Sequence, residues 1–565
     1  MGDVLFLALR RLRAPLISII CVYAISVAGL TLIPGINGAG KPETMSFFHA
    51  FYVVSYTATT IGFGELPYPF TDAQRMWVTL SIYLSVVAWA YSLGTVIALT
   101  NDGTFRAMLA RSMFNWRARG IAEPFYILCG YGQSGRALAH ALDHHGARVI
   151  VIEPRAERVA RMVLEEYVTP PLALAADARL ADVLEDCGIR SPQCAGLIAL
   201  AGDDGVNQAI AIGARVLNPE LLIVARSKAH DAQLNLATFE GVRVVNAFET
   251  FAENLRLGLV APEVLQAEEW LTAAPGSPCP PALRPPRGRW VLAGFGRFGH
   301  AISNMLQREQ IEWTAFEPEV AEPAAHAAGK GLHTEDVLRD AGISGATVLI
   351  AGATVDAVNL GVTTLARRIE PSLFVVIRQN HVQDRALIAA AHADLEFVQA
   401  DITVHECLQI LYTPMLGRYI SHLRSAGTAL ASDTVARVRA ASGEGAPLAW
   451  TFECDVMQPG MFSAFFQQAG APLHISHLLA DPINPAERMP ATALMLERAG
   501  EPHLLPAGDT RLNPGDRILF VGDVQARQMQ LRYLLEPGTV AWVCSGREPP
   551  RSLVFRWWEQ RRRAV

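Results

Sequence analysis

Residues 14–33 contain no charged side chain, and neither do residues 77–99. A helix needs about 20 residues to cross the ~30 Å hydrocarbon core of a bilayer, so each run is long enough to span one. Arg10, Arg11 and Arg13 precede the first run, and Arg106, Arg111, Arg117 and Arg119 follow the second. Basic residues beside a span stay on the cytoplasmic side. Both ends of this hairpin are therefore expected inside, with residues 34–76 facing outward. A cleaved signal peptide is the competing account of residues 1–33. It is disfavoured because the apolar run exceeds a usual signal core and no A-x-A-like site follows it.

A third apolar segment, residues 45–57, lies between the spans and holds Phe47, Phe48, Phe51, Tyr52 and Val53, with Thr44 as its expected cap. It is too short to span the bilayer but suits a re-entrant half-helix. Non-helical backbone survives at membrane depth only where protein buries it or it lines a wet cavity. The half-helix runs into Thr60-Ile61-Gly62-Phe63-Gly64-Glu65. A short helix entering and a glycine strand leaving meet that condition if several copies surround a central pore. The negative C-terminal end of such a helix favours a cation.

The hexapeptide resembles the T-V-G-Y-G-D filter of potassium channels, in which rings of backbone carbonyls replace the water around the ion. Gly62 and Gly64 permit backbone angles that aim successive carbonyls one way. The resemblance implies that Thr60, Ile61, Gly62, Phe63 and Gly64 form a selectivity filter, with K⁺ held by the carbonyls of Thr60 through Phe63 and by the Thr60 hydroxyl. Ile61 and Phe63 are expected to point away and brace the strand. Two residues depart from the pattern. Phe63 lacks the tyrosine hydroxyl that can tie a filter to its surroundings, and Glu65 replaces a shorter aspartate. A weakly selective cation pore is the alternative that these departures raise. Gly94, deep in the second run, suits either a hinge or a close helix contact.

The rest of the chain is of a different kind. Among 565 residues the formal net charge is −6, which gives no basic field for nucleic acid. The eight cysteines are scattered singly, as in a reduced cytosolic body rather than a disulfide or zinc framework. Residues 125–153 read as a strand, a turn with Gly130, Gly132 and Gly135, a helix, and a second strand ending at Glu153. This is the dinucleotide fingerprint in its strand–turn–helix–strand setting. Its glycines make the turn, admit a pyrophosphate and pack helix on strand, and the terminal carboxylate holds ribose hydroxyls.

The pattern returns at Gly294, Gly296 and Gly299, closing at Glu317, and the flanks repeat as well: "LADVLEDCGI" (180–189) echoes "TEDVLRDAGI" (334–343). The chain therefore contains a duplicated Rossmann-like domain. The expected fold class is multidomain: a two-helix transmembrane pore module, tandem α/β Rossmann-like domains and a small α+β C-terminal lobe.

Over nearly its full length the chain resembles bacterial two-span potassium channels with tandem RCK (TrkA-N-like) domains. Residues 247–262 and 401–416 stand where that family places crossover helices, and residues 504–523 resemble its C-terminal lobe. The resemblance implies a homotetramer in the bacterial cell membrane, eight RCK domains in a cytoplasmic ring, and gating by ligands such as NAD, ADP or a divalent cation such as Ca²⁺. It assigns nucleotide contacts to Gly130, Gly132, Gln133, Ser134, Gly135, Glu153, Asp177 and Ala178 in the first repeat. In the second it assigns them to Gly294, Gly296, Arg297, Phe298, Gly299 and Glu317. The place matching Asp177 reads "KGLHTEDVL" in repeat two and has no aspartate, so the first repeat is the better equipped. Asp203 and Asp204 are candidate divalent ligands, or else a solvated helix cap; the later carboxylates of calcium-gated relatives are replaced here by Arg226 and Lys228.

The expected boundaries are a pore domain at 1–100 (spans 14–33 and 77–99, half-helix and filter 44–65), a linker at 101–123, repeat one at 124–262 and a linker at 263–287. Repeat two is expected at 288–420, the C-terminal lobe at 421–540 and a basic tail at 541–565. Two other functions compete: a membrane-anchored NAD(P)-dependent oxidoreductase, for which no acid–base constellation stands out beyond the fingerprints, and a regulator of a separate transporter. The chain is expected not to be an enzyme.

Overall fold

The computed structural model describes residues 2–228, 239, 241–317, 335–454, 472–535 and 539–545. It divides into two units, the first made chiefly of residues up to Glu123 and the second of residues from Pro124 onward.

In the first unit, helix α1 (Gly2–Leu32) is followed by a small antiparallel pair, β1 (Pro34–Ile36) with β2 (Pro42–Thr44). Then come α2 (Phe47–Ala58), α3 (Asp72–Asn101) and α4 (Gly103–Arg119). Among the described residues, α1 and α3 are the two helices long and apolar enough to cross a membrane. Ile20, Tyr83 and Val87 are 65%, 69% and 68% exposed, so both helices turn apolar side chains outward, where a bilayer would solvate them. They cross closely at Gly29, where a Cβ would lie 1.9 Å from the Trp77 ring, and Trp77 Nε1 donates to the Ser26 carbonyl at 3.0 Å. Val27, Leu30, Val53, Val54 and Phe70 form the core under α2.

One local expectation needs correction here. Thr44 is not the cap of the half-helix: it pairs with Pro34 in the β1–β2 ribbon. The helix begins at Phe47, and its cap is Ser46, whose Oγ accepts the His49 amide. The expected linker 101–123 is largely helical. Asp102 ends α3 and caps α4, its carboxylate accepting the amides of Thr104 and Phe105. Gly94 lies in unbroken α3 with nothing within 4 Å of a Cβ position, so within one chain the close-contact explanation finds no partner.

The second unit holds the two repeats. Strands β3 (Phe125–Cys129), β4 (Arg148–Ile152), β5 (Leu172–Leu174), β6 (Cys194–Ala199), β7 (Ile223–Arg226) and β8 (Val242–Val245) form a six-stranded sheet. Its order is β5-β4-β3-β6-β7-β8, the doubly wound order of dinucleotide-binding folds. The second repeat repeats it with β9 (Trp290–Ala293), β10 (Trp313–Phe316), β11 (Val348–Ala351), β12 (Phe374–Gln379) and β13 (Leu395–Val398), ordered β10-β9-β11-β12-β13. The stretch matching β5 lies among residues 318–334, outside the described residues, as does most of the "KGLHTEDVL" segment.

The crossover helices are exchanged. Helix Ala247–Val260, which follows β8 of repeat one, sends Phe248, Phe251 and Leu255 into the core of repeat two beside Trp290, Phe298 and Ile350. Helix Gln399–Tyr412, which follows β13, packs on helix Gln133–His144 of repeat one, and the Tyr412 ring stacks on His145 at 4.7 Å. The two repeats thus complete each other's cores.

The expected linker 263–287 contains a helix. Helix Pro262–Thr272 occupies its first half and buries Trp270, because apolar residues recur at helical spacing after a proline at the first position. The C-terminal lobe is a four-stranded antiparallel sheet of β14 (Leu448–Glu453), β15 (Ala491–Arg498), β16 (Glu501–Leu504) and β17 (Arg517–Gly522), ordered β14-β17-β15-β16. Most of the basic tail lies outside the described residues.

Candidate functional site

The first site follows α2. Thr60, Gly62 and Gly64 have φ of +65°, +66° and +92°, while Ile61 and Phe63 between them do not enter the left-handed region. Alternation of this kind is the backbone condition for aiming successive carbonyls one way. No atom lies within 4 Å of a Cβ at Gly62 or Gly64, so the backbone angle, not space, demands glycine there. Thr60 takes the same region without being glycine, a strain of about 1–2 kcal/mol. Strain of this kind gathers at functional sites. The turn is pinned from below: the amides of Ile61 and Gly62 donate to the Tyr56 carbonyl at 2.9 and 3.3 Å.

Aromatic packing braces the strand from behind. Phe63 stacks on Tyr52 with centroids 6.2 Å apart and meets Tyr56 edge-on at 5.6 Å. The Tyr56 hydroxyl donates to the Gly64 carbonyl. Glu65 is held by Arg75 and by the Phe70 amide at 2.8 Å.

The second site is doubled. Gly130 and Gly294 carry φ of +99° and +100° at the strand–helix turns. A Cβ on Gly135 would lie 2.0 Å from the Gly130 carbonyl, and one on Gly299 2.4 Å from the Gly294 carbonyl, so both serve close helix–strand packing. Gly132 and Gly296 differ: they cap their helices without a side-chain bond and face open space, with nothing within 4 Å at Gly296 and only Arg158 Nη1 at 3.9 Å from Gly132. The protein itself does not require glycine at these two positions, whereas an approaching phosphate does.

Glu153 is buried and accepts the Tyr131 amide at 2.8 Å, with Arg158 Nη1 at 3.4 Å. Glu317 is exposed and accepts the Phe295 amide at 2.5 Å. Each terminal carboxylate therefore braces its own glycine turn. Asp177 is paired with Arg179 at 2.6 Å, which holds its carboxyl below the usual range. Gln133 and Arg297 are exposed at their helix starts, whereas Ser134 is buried and receives a hydrogen bond from Arg226 at 3.3 Å; Ala178 is buried too. The Phe298 side chain points into the core, away from the open face of the turn. It is fully buried, stacked on Phe397 at 4.5 Å and tilted against Phe248 at 5.8 Å, because the exchanged crossover helix covers it.

One feature escaped sequence reasoning. Arg226 and Lys228 of repeat one lie near Arg297 and Arg378 of repeat two. Burial and then the charges of Arg226, Arg297 and Arg378 push the Lys228 ammonium down to about 8. Burial likewise pushes Arg378 down to about 10, opposed by Asp356 and aided by Arg297. Four cationic groups from both repeats gather beside the two glycine turns, an arrangement suited to an anion. The signal was present in the aligned repeats, "VARSK" (224–228) against "VIRQN" (376–380).

The candidate metal pair is used differently. Asp203 caps a helix by accepting the Val206 amide at 3.0 Å, and Asp204 accepts the Lys228 amide at 3.0 Å. Among the described residues, Asp356, His381 and Asp384 are the one group at metal-ligand proximity. Asp356 there holds the amides of Asn380 at 2.7 Å and His381 at 2.8 Å, the same station that Asp204 fills in repeat one.

The ion-channel family model matches residues 17–101, and the TrkA-N domain model matches twice, at residues 126–246 and 290–398. The chain is therefore an ion-channel pore domain joined to tandem TrkA-N domains; it is a member of the channel class and not an enzyme, and the oxidoreductase alternative falls. Potassium channel protein 1 of Methanocaldococcus jannaschii is 29% identical over 187 residues, 33% of this chain and 54% of that protein. Probable potassium channel protein 2 of the same organism is 27% identical over 207 residues, 36% of this chain and 59% of that protein. The chain thus spans about half the length of the curated relatives it matches. Among solved structures, the GsuK channel covers 94% of this chain and is itself covered completely, at 14% identity and a TM-score of 0.46. The GsuK channel bound to NAD covers 95% of this chain at 15% identity and a TM-score of 0.43.

Proposed function

We propose that this chain is the subunit of a tetrameric, potassium-selective channel whose conductance follows nucleotide occupancy of its TrkA-N repeats. The observation that carries the pore reading is the alternation of left-handed backbone at Thr60, Gly62 and Gly64, placed between a 12-residue half-helix and a spanning helix. One strand encloses nothing, so the reading requires four chains around an axis, with both termini and the repeats on the cytoplasmic side. Potassium is the expected cargo because the Thr60–Phe63 backbone offers stacked carbonyls in place of water. The similarity to two potassium channel proteins over about a third of the chain agrees with this.

The nucleotide part rests on the open faces of Gly132 and Gly296 and on the cations gathered beside them. NAD and ADP share the diphosphate that such a site grips. Moving a gate from 1:99 to 99:1 takes ~5.5 kcal/mol, and one site supplies ~1–3 kcal/mol of coupling. Several occupied repeats per tetramer reach that figure.

The test is K⁺ flux into liposomes holding only the purified protein, with and without NAD⁺. Flux altered by NAD⁺ is the expected result. Flux indifferent to NAD⁺, ADP and Ca²⁺ would keep the pore and remove ligand gating. Absence of flux under every condition would sink the channel reading and revive a role as regulator of a separate transporter.

A further inference from the structure

We propose that Tyr56 sets the ion selectivity of the filter by holding the Gly64 carbonyl away from the conduction path; this rests on the pore reading above. Phe63 stands where the resembled filter has a tyrosine, and it carries no hydroxyl. A hydroxyl at that position would anchor the strand, and here the ring ends in a hydrocarbon edge packed on Tyr52 and Tyr56. The hydroxyl is supplied from the half-helix instead. Tyr56 is 5% exposed, and its Oη donates to the Gly64 carbonyl eight residues on. Among the described residues, no other side chain of α2 bonds the backbone of residues 60–64.

Two consequences follow from the direction of that bond. The Gly64 carbonyl faces the half-helix, so the carbonyls left to an ion are those of Thr60 through Phe63. The same tyrosine grips both ends of the strand, since its own carbonyl takes the amides of Ile61 and Gly62. A filter distinguishes ions of different size only if its carbonyls hold their spacing, and a strand fixed at both ends by one buried residue holds it better than one fixed at its base. Glu65 does not share this task, being engaged by Arg75 and the Phe70 amide. Tyr56 is thus a positioning residue: it acts on the ion through the backbone of Gly64.

The experiment compares wild type, Y56F and Y52F in liposomes. Y56F keeps the ring and the carbonyl that binds Ile61 and Gly62, and loses only the hydroxyl. Y52F removes a neighbouring hydroxyl while keeping the ring that stacks on Phe63. The K⁺/Na⁺ permeability ratio is expected to fall by about tenfold in Y56F, the ratio that ~1.4 kcal/mol produces, while Y52F matches wild type. Should Y56F form tetramers that do not conduct, calorimetric binding of K⁺ and Na⁺ to the solubilised tetramer reads the same preference, again expected to narrow. An unchanged ratio in Y56F, or an equal loss in Y52F, overturns the proposal while leaving the channel standing. Wild-type protein without any flux overturns the pore reading itself and this inference with it.

Discussion

Arg75 holds both oxygens of Glu65, with Nε to Oε1 at 2.8 Å and Nη2 to Oε2 at 3.2 Å, at the end of the filter strand. The pair is open to solvent, so it is a charge arrangement at the mouth more than a fastening. Replacing Arg75 by glutamine leaves the Glu65 charge unbalanced in every subunit of the proposed tetramer. A more negative mouth concentrates cations, and added salt screens the effect. Conductance in R75Q is expected to rise about twofold at 10 mM K⁺, where the Debye length is ~30 Å, and to match wild type at 1 M, where it is ~3 Å. A rise that persists at 1 M would show that Arg75 acts on filter shape instead.

Gly132 and Gly135 stand three residues apart and should fail in opposite ways. A Cβ at 135 collides with the Gly130 backbone carbonyl, which cannot move aside as a side chain would. G135A is expected to cost ~1–3 kcal/mol, the usual range for overpacking, and to lower the unfolding midpoint of the full-length protein. A Cβ at 132 meets only the far end of Arg158. G132A should keep the wild-type midpoint and lose most NAD⁺ or ADP binding by calorimetry. Equal affinity in G132A and wild type would mean that the turn is structural and takes no phosphate.

These contrasts show where sequence reasoning succeeds. The spans, the filter hexapeptide and the glycine turns were legible because each is decided locally, by run length, by a backbone angle or by a spacing of two and three residues. Ser46 was missed in favour of Thr44 because a cap depends on where the helix starts, and that is set by the packing of Val53 and Val54 under α2 rather than by the capping residue alone. Phe298 was read as a ligand contact because it lies inside the fingerprint. Its side-chain neighbours, Phe248 and Phe397, are 50 and 99 residues away in sequence; Phe397 comes from β13 of the same repeat, and Phe248 arrives only through the exchange of crossover helices. The cation cluster needed the same long-range knowledge, since Arg297 approaches Lys228 only after both repeats have formed.

The exchange makes its own prediction. Phe298 lies in the core that repeat two shares with the crossover helix of repeat one. F298A should cost ~3–5 kcal/mol, as for a large aromatic removed from a core. F298L, which keeps most of the volume, should retain nucleotide affinity within about twofold, since the Phe298 ring packs on Phe248 and Phe397 and a near volume-conserving apolar swap is tolerated in a core. Comparing the two by thermal unfolding and calorimetry separates packing from ligation; a large affinity loss in F298L with an unchanged midpoint would restore Phe298 to the ligand site.

The same exchange places a titrating group between the repeats. Glu406, on the second crossover helix, accepts the Thr250 hydroxyl from the first, and its Oε2 is buried without a hydrogen-bond partner. Burial pushes its carboxyl up to about 7, against the Thr250 hydrogen bond and the Arg424 charge, with Glu268 adding to the rise. Arg424 is itself committed to Glu268 at 2.6 Å, so a charged Glu406 is poorly compensated. An ordinary glutamate titrates near 4.3, so the folded chain holds this proton more tightly than the unfolded one. The stabilisation is complete below about pH 4.3 and is lost as the pH rises through about 7. Docking of the two repeats should therefore weaken across that window, and the unfolding midpoint of the full-length protein should fall by a few degrees from this group, at roughly 2–4 °C per kcal/mol. In E406Q, which stays neutral, that component of the slope should vanish and the midpoint at pH 8 should exceed wild type. An E406Q protein with the wild-type slope would assign the pH dependence to other groups and leave Glu406 as a plain hydrogen-bond acceptor for Thr250.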